Sequence, residues 1–309
     1  MIDWQTGLRG GLALLAVLAV GVLWGLNWPT VKFLLNEIPP LTIRAMAFPF
    51  AALLLAIAAR AMGQSLVVSR AELWAVTVTG LFLIFGFNVL TVLGQTLVQT
   101  SRAAIIAYTM PAMTAVLAAM FLSEQLRIRQ WFALAVGMGG LGVLLSEDIP
   151  ALRAAPIGPL VMALAALSWA IGNVTLKARV WKTPPIVLTV WFFGVSTLLV
   201  WPLVLAFEPP ARQTWPSVST LWVFGFHVVG PMVTCYLLWT LLVARLPATV
   251  AAISTLTAPI VGVGSSIVLL TDPPTWQKGL ALAMVVISIA MTLSPGNGQR
   301  QTGGTQDER

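Results

Sequence analysis

Residues 24–32 read WGLNWPTVK and residues 169–177 read WAIGNVTLK, so that at an offset of 145 Trp24, Thr30 and Lys32 fall on Trp169, Thr175 and Lys177. Further along, 103–111 read AAIIAYTMP and 251–259 read AAISTLTAP. At an offset of 148, Ala103, Ala104, Ile105, Thr109 and Pro111 fall on Ala251, Ala252, Ile253, Thr257 and Pro259. The same offset lays Ala133-Leu134-Ala135 on Ala281-Leu282-Ala283 and Glu124 on Asp272. Matches of alanine and leucine are cheap in an apolar chain, so the weight rests on the paired tryptophans, lysines, prolines and acids. The chain is read as two copies of one unit, with three extra residues in the second copy.

Outward from these blocks the chain is a series of apolar runs. They stand at about 10–34, 41–59, 72–97, 103–122, 130–146, 157–176, 186–206, 218–243, 247–270 and 277–294, near the roughly 17–25 residues that a spanning helix needs. Of 309 residues, 58% are hydrophobic and 9% charged, against about 25% charged in a soluble domain. Such a chain cannot coat a water-facing surface, and the lipid bilayer is its expected solvent. The expected fold is all-α, a polytopic membrane protein of ten transmembrane helices. Residues 1–9 form a cytoplasmic N-terminus, 10–147 the first five-helix repeat, 156–294 the second, and 295–309 a polar tail with nothing to bury. Five is an odd number, so the second copy enters the membrane from the opposite side. That inverted arrangement places a solute site near the midplane, between halves that rock on one another.

The net charge of +7 does not indicate nucleic acid, because the basic residues lie singly or in small groups between apolar runs. With the N-terminus inside, the inner face holds Arg9, Arg60, Arg70, Arg127, Arg129, Lys177, Arg179, Lys182, Arg245, Arg300 and Arg309. The outer face holds Lys32, Arg44, Arg102, Arg153, Arg212 and Lys278. This bias puts both termini in the cytoplasm. Lys32 and Arg44 sit within about a turn of helix ends and can snorkel to the interface. One cysteine, Cys235, and one histidine, His227, are too few for a metal centre. No GxxxxGK phosphate loop occurs, and no cofactor is expected. No acid lies in the interior of a span, which leaves ion coupling through a buried carboxylate without support. Facilitated diffusion or exchange is the simpler mode, and a cavity free of buried charge would favour neutral or zwitterionic solutes.

Trp24-Gly25-x-Asn27, Trp169 with Asn173, the proline helices at Pro111 and Pro259, and the closing acids Glu124 and Asp272 occur in a repeated order. In this the chain resembles the drug/metabolite transporter superfamily, in its ten-helix type of two EamA repeats. The resemblance implies a cavity lined mainly by helices 1, 3, 4, 6, 8 and 9, with helices 5 and 10 at the periphery. It also implies export of amino acids and related metabolites, most nearly in the manner of aromatic amino acid exporters. Asp272 in place of Glu, and Ala170 opposite Gly25, depart from the pattern.

Trp74, Trp131, Trp181, Trp191, Trp215, Trp222 and Trp276 stand at span ends, where tryptophan anchors to the membrane interface. Trp24 and Trp169 are mid-span. They either pack between helices or face each other as two walls of a solute cavity. Asn88, Thr91 and Gln95 share one helical face, as do Ser254, Thr257 and Ser265. Asn27 and Asn173 flank the central tryptophans, and Tyr108, Tyr236 and Trp239 add aromatic area with polar tips. Each of these polar groups either bonds another helix or lines the cavity. His227, inside span 8, is either a packing residue or a solute contact able to respond to protons. Pro111, Pro259 and Gly230-Pro231 permit bends.

The expected function is secondary transport of small organic solutes, amino acids among them, across the inner (plasma) membrane. Two alternatives remain at this point: an intramembrane hydrolase using His227 with Ser265 or Ser266, and a non-transporting scaffold. The Gly137-x-Gly139-Gly140-x-Gly142 face of span 5 is a helix contact within or between chains, so a homodimer also stays open.

Overall fold

A computed structural model describes residues 10–122, 128–146, 156–245 and 248–293. Within them every regular element is helical. A backbone in hydrocarbon must satisfy its polar groups internally, and the helix does so within one segment. Ten rods result: α1 Gly10–Leu34, α2 Pro40–Ala61, α3 Arg70–Leu97, α4 Thr100–Phe121, α5 Ile128–Leu145, α6 Ile157–Lys177, α7 Pro185–Phe207, α8 218–245, α9 Ala248–Leu270 and α10 Trp276–Leu293. Six of them, α2, α3, α4, α6, α7 and α8, are long and apolar enough over their described residues to cross a bilayer. Shorter apolar stretches lie in α5, α9 and α10. Glu124, residues 1–9 and residues 294–309 fall outside the described residues.

The packing obeys a pseudo-two-fold axis. The pair α1–α9 has its counterpart in α6–α4, and α3–α6 has its counterpart in α8–α1, while α2 packs on α7 and α5 on α10. A residue can touch its own repeat copy only near such an axis, and three do. Trp24 meets Trp169 with ring centroids 5.7 Å apart, Phe48 meets Phe193 at 6.0 Å, and Asn88 Nδ2 donates to the Tyr236 hydroxyl at 2.8 Å. The protein is an all-α polytopic membrane protein of ten transmembrane helices in two inverted five-helix repeats.

Two rods are interrupted at matching positions. In α3 the residues Gly80–Gly86 form a π-turn, and in α8 the residues Val228–Cys235 do the same around Pro231. Widening the helix displaces carbonyls from their usual partners, and hydroxyls cover them. Ser168 Oγ donates to Phe82 O at 2.8 Å and Thr234 Oγ to Val229 O at 2.8 Å. The rod α4 breaks at Tyr108–Thr109, just before Pro111, whereas α9 runs through Pro259 without interruption. The break before Pro111 thus has no counterpart at Pro259.

Carboxylates fasten the loops of one repeat to the helix starts of the other, where unpaired N–H groups and the helix dipole welcome negative charge. Glu208 accepts from Leu41 N at 3.0 Å and Thr42 N at 2.8 Å in the first turn of α2. Asp272, conspicuous in the sequence as the acid closing α9, accepts from Ser101 N of α4 at 2.9 Å. Glu37 accepts from the Ser217 N–H at 2.6 Å and from its hydroxyl at 2.8 Å, at the start of α8. The backbone donor and then the hydroxyl hold the Glu37 carboxyl below its ordinary range. Glu72 in the first turn of α3 is buried, yet it binds Lys182 N and Thr183 Oγ in the loop before α7, each at 2.7 Å. It is a fastener at a helix end, in keeping with the lack of acids in span interiors.

Gly137, Gly139 and Gly140 of α5 face α10 in the same chain. A Cβ at Gly137 would meet Ser288 Oγ at 2.8 Å, and one at Gly140 would meet Met284 Cβ at 3.0 Å. Three of the four glycines are thus taken up by an intrachain contact, whereas a Cβ at Gly142 meets nothing within 4 Å.

Candidate functional site

Between the halves lies a cavity of about 50 Å³. Among the described residues its walls come from α1, α2, α3, α4, α6 and α8, with none from α5 or α10. The side chains of 248–257, including Ser254 and Thr257, lie outside the described residues. Trp24, Asn27, Asn88, Tyr108, Trp169 and Tyr236 all line the cavity. So do Thr91 and Gln95, which puts the polar face of α3 on the cavity side.

The central tryptophans are not two walls with a gap between them. Their rings are in direct contact, edge to face at 87°, and a stacked solute would not fit between. Trp24 also meets Tyr236 at 5.6 Å and Trp239 at 5.5 Å, and Trp169 meets Phe87 at 4.8 Å. The pseudo-two-fold brings the repeat copies onto one another, so they build a single aromatic floor. Edge-to-face contacts of this kind contribute about 0.5–1.5 kcal/mol each beyond burial.

Arg44 overturns two expectations together. It does not snorkel, since only 1% of it is exposed, and it puts a guanidinium in the wall of a cavity expected to hold no charge. The reason is tertiary. Although Arg44 is within a turn or so of the α2 start, α3 and α8 cover it and supply its partners. Nε donates to Asn88 O at 2.9 Å, and Nη1 lies 3.0 Å from His227 Nε2. A guanidinium only donates, so Nε2 accepts and the ring proton sits on Nδ1. That proton is donated to Asn27 Oδ1 at 2.7 Å. His227, fully buried, therefore stands behind the wall as a neutral relay between Arg44 and Asn27. Burying an ion costs on the order of several kcal/mol, and among the described residues no carboxylate stands at ion-pair distance from Arg44. The sequence signal that could have found it is an arginine inside an apolar run, taken for an interfacial residue by its nearness to the helix end. Lys32 is half-buried, and its Nζ donates to Gln95 O at 2.9 Å at the end of α3.

The hydroxyls are poised differently. Tyr236 accepts from Asn88 and Tyr108 accepts from Trp28 Nε1 at 3.1 Å, leaving each O–H free to donate. Gln95 Oε1 is buried with no partner. Asn173 does not line the cavity; it is buried, and its Nδ2 donates to Trp169 O at 3.0 Å, one turn back in α6. The proposed Ser-His dyad does not exist, because both nitrogens of His227 are engaged elsewhere. The Ser265 and Ser266 hydroxyls both donate to Gly262 O, at 3.2 and 2.7 Å. Of the seven span-end tryptophans, six are exposed as interface anchors are. Trp181 is half-buried, with Arg179 over its ring at 5.3 Å.

Two inverted repeats enclosing a cavity of aromatic and polar side chains in a multi-pass membrane protein define a membrane transporter. The chain belongs to the EamA-like transporter family, which matches it twice, over residues 11–146 and 156–294. It is similar to an uncharacterized transporter, YoaV, of Bacillus subtilis (strain 168), with 23% identity over 80% of this chain and 85% of that one. It is also similar to a probable amino-acid metabolite efflux pump of Salmonella typhimurium, with 27% identity over 91% of this chain and 92% of that one. A crystal structure of 21% sequence identity shares the fold with a TM-score of 0.67, covering 92% of this chain and 98% of its own. The protein handles small-molecule solutes and is not an enzyme.

Proposed function

We propose that the protein exports small organic metabolites across the inner membrane, foremost amino acids and including aromatic ones, by alternating access at the cavity between its repeats. The observation that carries this is the cavity itself, with an aromatic floor of Trp24, Trp169 and Tyr236 beside the Tyr108 hydroxyl and the unpaired Gln95 Oε1. Apolar side chains and polar main-group ends of a metabolite each find a surface there. The similarity to the Salmonella relative, a probable amino-acid metabolite efflux pump, supports the same class. The acids among the described residues bind helix starts and loops, so movement down the solute gradient or by exchange is the mode proposed. The test is flux from liposomes carrying the purified protein, with phenylalanine, tryptophan, alanine, threonine, a nucleoside and a cationic drug as solutes. Carrier-dependent flux of the amino acids is expected; flux of none of them would reject the proposal.

The aromatic floor gives a selectivity prediction. Trp24→Ala and Trp169→Ala each remove an aromatic contact worth roughly 0.5–1.5 kcal/mol beyond burial, so phenylalanine flux should fall about two- to tenfold more than alanine flux. Trp74→Ala, at an exposed interface position, should leave the ratio unchanged. Equal loss of both fluxes in the central variants would assign these rings to packing alone.

Both termini are proposed to lie in the cytoplasm, on the basic-residue bias. Tags at either end should be digested by protease only after the inner membrane is permeabilised. Cleavage of a C-terminal tag in intact spheroplasts would reverse the orientation.

A further inference from the structure

Arg44 is fixed along part of its edge by protein and left open on the rest. Of the five N–H hydrogens of a guanidinium, one goes to Asn88 O and one to His227 Nε2. One on Nη1 and both on Nη2 make no hydrogen bond among the described residues, in a side chain that is nine-tenths buried and lines the cavity. The relay through His227 to Asn27 holds the plane in place. A pre-set planar fork with adjacent free donors matches the two oxygens of a carboxylate.

We propose that Arg44 receives the carboxylate of the transported solute, with its side chain laid on the Trp24–Trp169 floor; this rests on the transport reading given above. The charge of the wall argues for a single anionic group, since Arg44 is the charged residue lining the cavity among the described residues. A phosphate dianion would remain half-compensated. The Tyr236 O–H, its oxygen already accepting from Asn88, is a second donor on the same wall. Gln95 Oε1, buried and without a partner on α3, supplies the acceptor that an ammonium needs. A cationic fork, an unpaired acceptor and an aromatic surface in one enclosure fit an α-amino acid with an aromatic side chain.

The test compares phenylalanine with phenylalaninamide, which keeps the shape and loses the negative charge, and 3-phenylpropanoate with 3-phenylpropanamide. Flux is measured in liposomes, and binding by the ligand-induced rise in melting temperature of the purified protein. The unmodified protein should prefer each carboxylate over its amide by about tenfold or more, as a hydrogen bond to a charged group supports. Arg44→Gln should bring each pair within about twofold, and Arg44→Lys should restore part of the preference. Equal handling of acid and amide by the unmodified protein overturns the proposal, and this arm decides it even if the variants do not fold. An Arg44→Gln protein that keeps the preference overturns it as well. If no amino acid is moved, the export reading fails on its own, while preferential binding of 3-phenylpropanoate lost in Arg44→Gln still upholds the Arg44 contact.

Discussion

Replacement of Gly172 by alanine is expected to remove most of the folded protein that can be recovered from the membrane. At this point α6 presses on the π-turn of α3, and a Cβ would stand 2.6 Å from both the N and the Cα of Leu83. Those are backbone atoms of a buried residue, so no side-chain rotation relieves the clash. Forced overpacking costs about 1–3 kcal/mol and at times more. Here relief also requires separating helices that carry Trp169 and Asn88 into the cavity. Gly142→Ala is the control, because a Cβ there meets nothing within 4 Å. The readout is the monodisperse fraction in detergent together with the melting temperature. A Gly172→Ala protein recovered in wild-type yield with an unchanged melting temperature would contradict the packing described.

His227→Leu should give the next largest effect. It leaves an N–H of a buried guanidinium and the Oδ1 of Asn27 without partners, and a hydrogen bond to a charged group contributes about 1.5–3 kcal/mol. A lower melting temperature and a loss of transport across all solutes are expected, since Arg44 loses its orientation. His227→Gln separates chemistry from bulk. Its amide offers one acceptor oxygen and one donor nitrogen, the pattern of the Nδ1-protonated imidazole, and should recover much of both properties. If leucine and glutamine behave alike, the relay is not what holds Arg44.

The repeat pairs show how far a sequence reading reaches. Trp24 and Trp169 stood out because two rare residues recurred at a constant offset, and both do line the cavity. Their direct contact could not be read from that offset, since equivalence under a two-fold constrains direction but not distance from the axis. The α3 face of Asn88, Thr91 and Gln95 was legible from helical periodicity alone, because polar groups in hydrocarbon turn inward. Asn173, singled out because it flanks Trp169, instead closed onto its own helix at Trp169 O, a local alternative that position in the sequence does not exclude. Asp272 was legible as a repeat marker, whereas its role in capping α4 needed the loop positions.

What the amino-acid sequence determines by itself is the number of helices, their inversion and the apolar solvent around them. In lipid each span must satisfy its own backbone, so apolar length translates directly into architecture. The tertiary structure alone decided which charged and polar groups meet. Arg44 and His227 lie 183 residues apart, and nothing in either neighbourhood names the other. An arginine one turn from a helix end reaches the interface or stays buried according to what packs over it. Here α3 and α8 close over Arg44, and that packing converts a topology marker into the charged wall of the cavity.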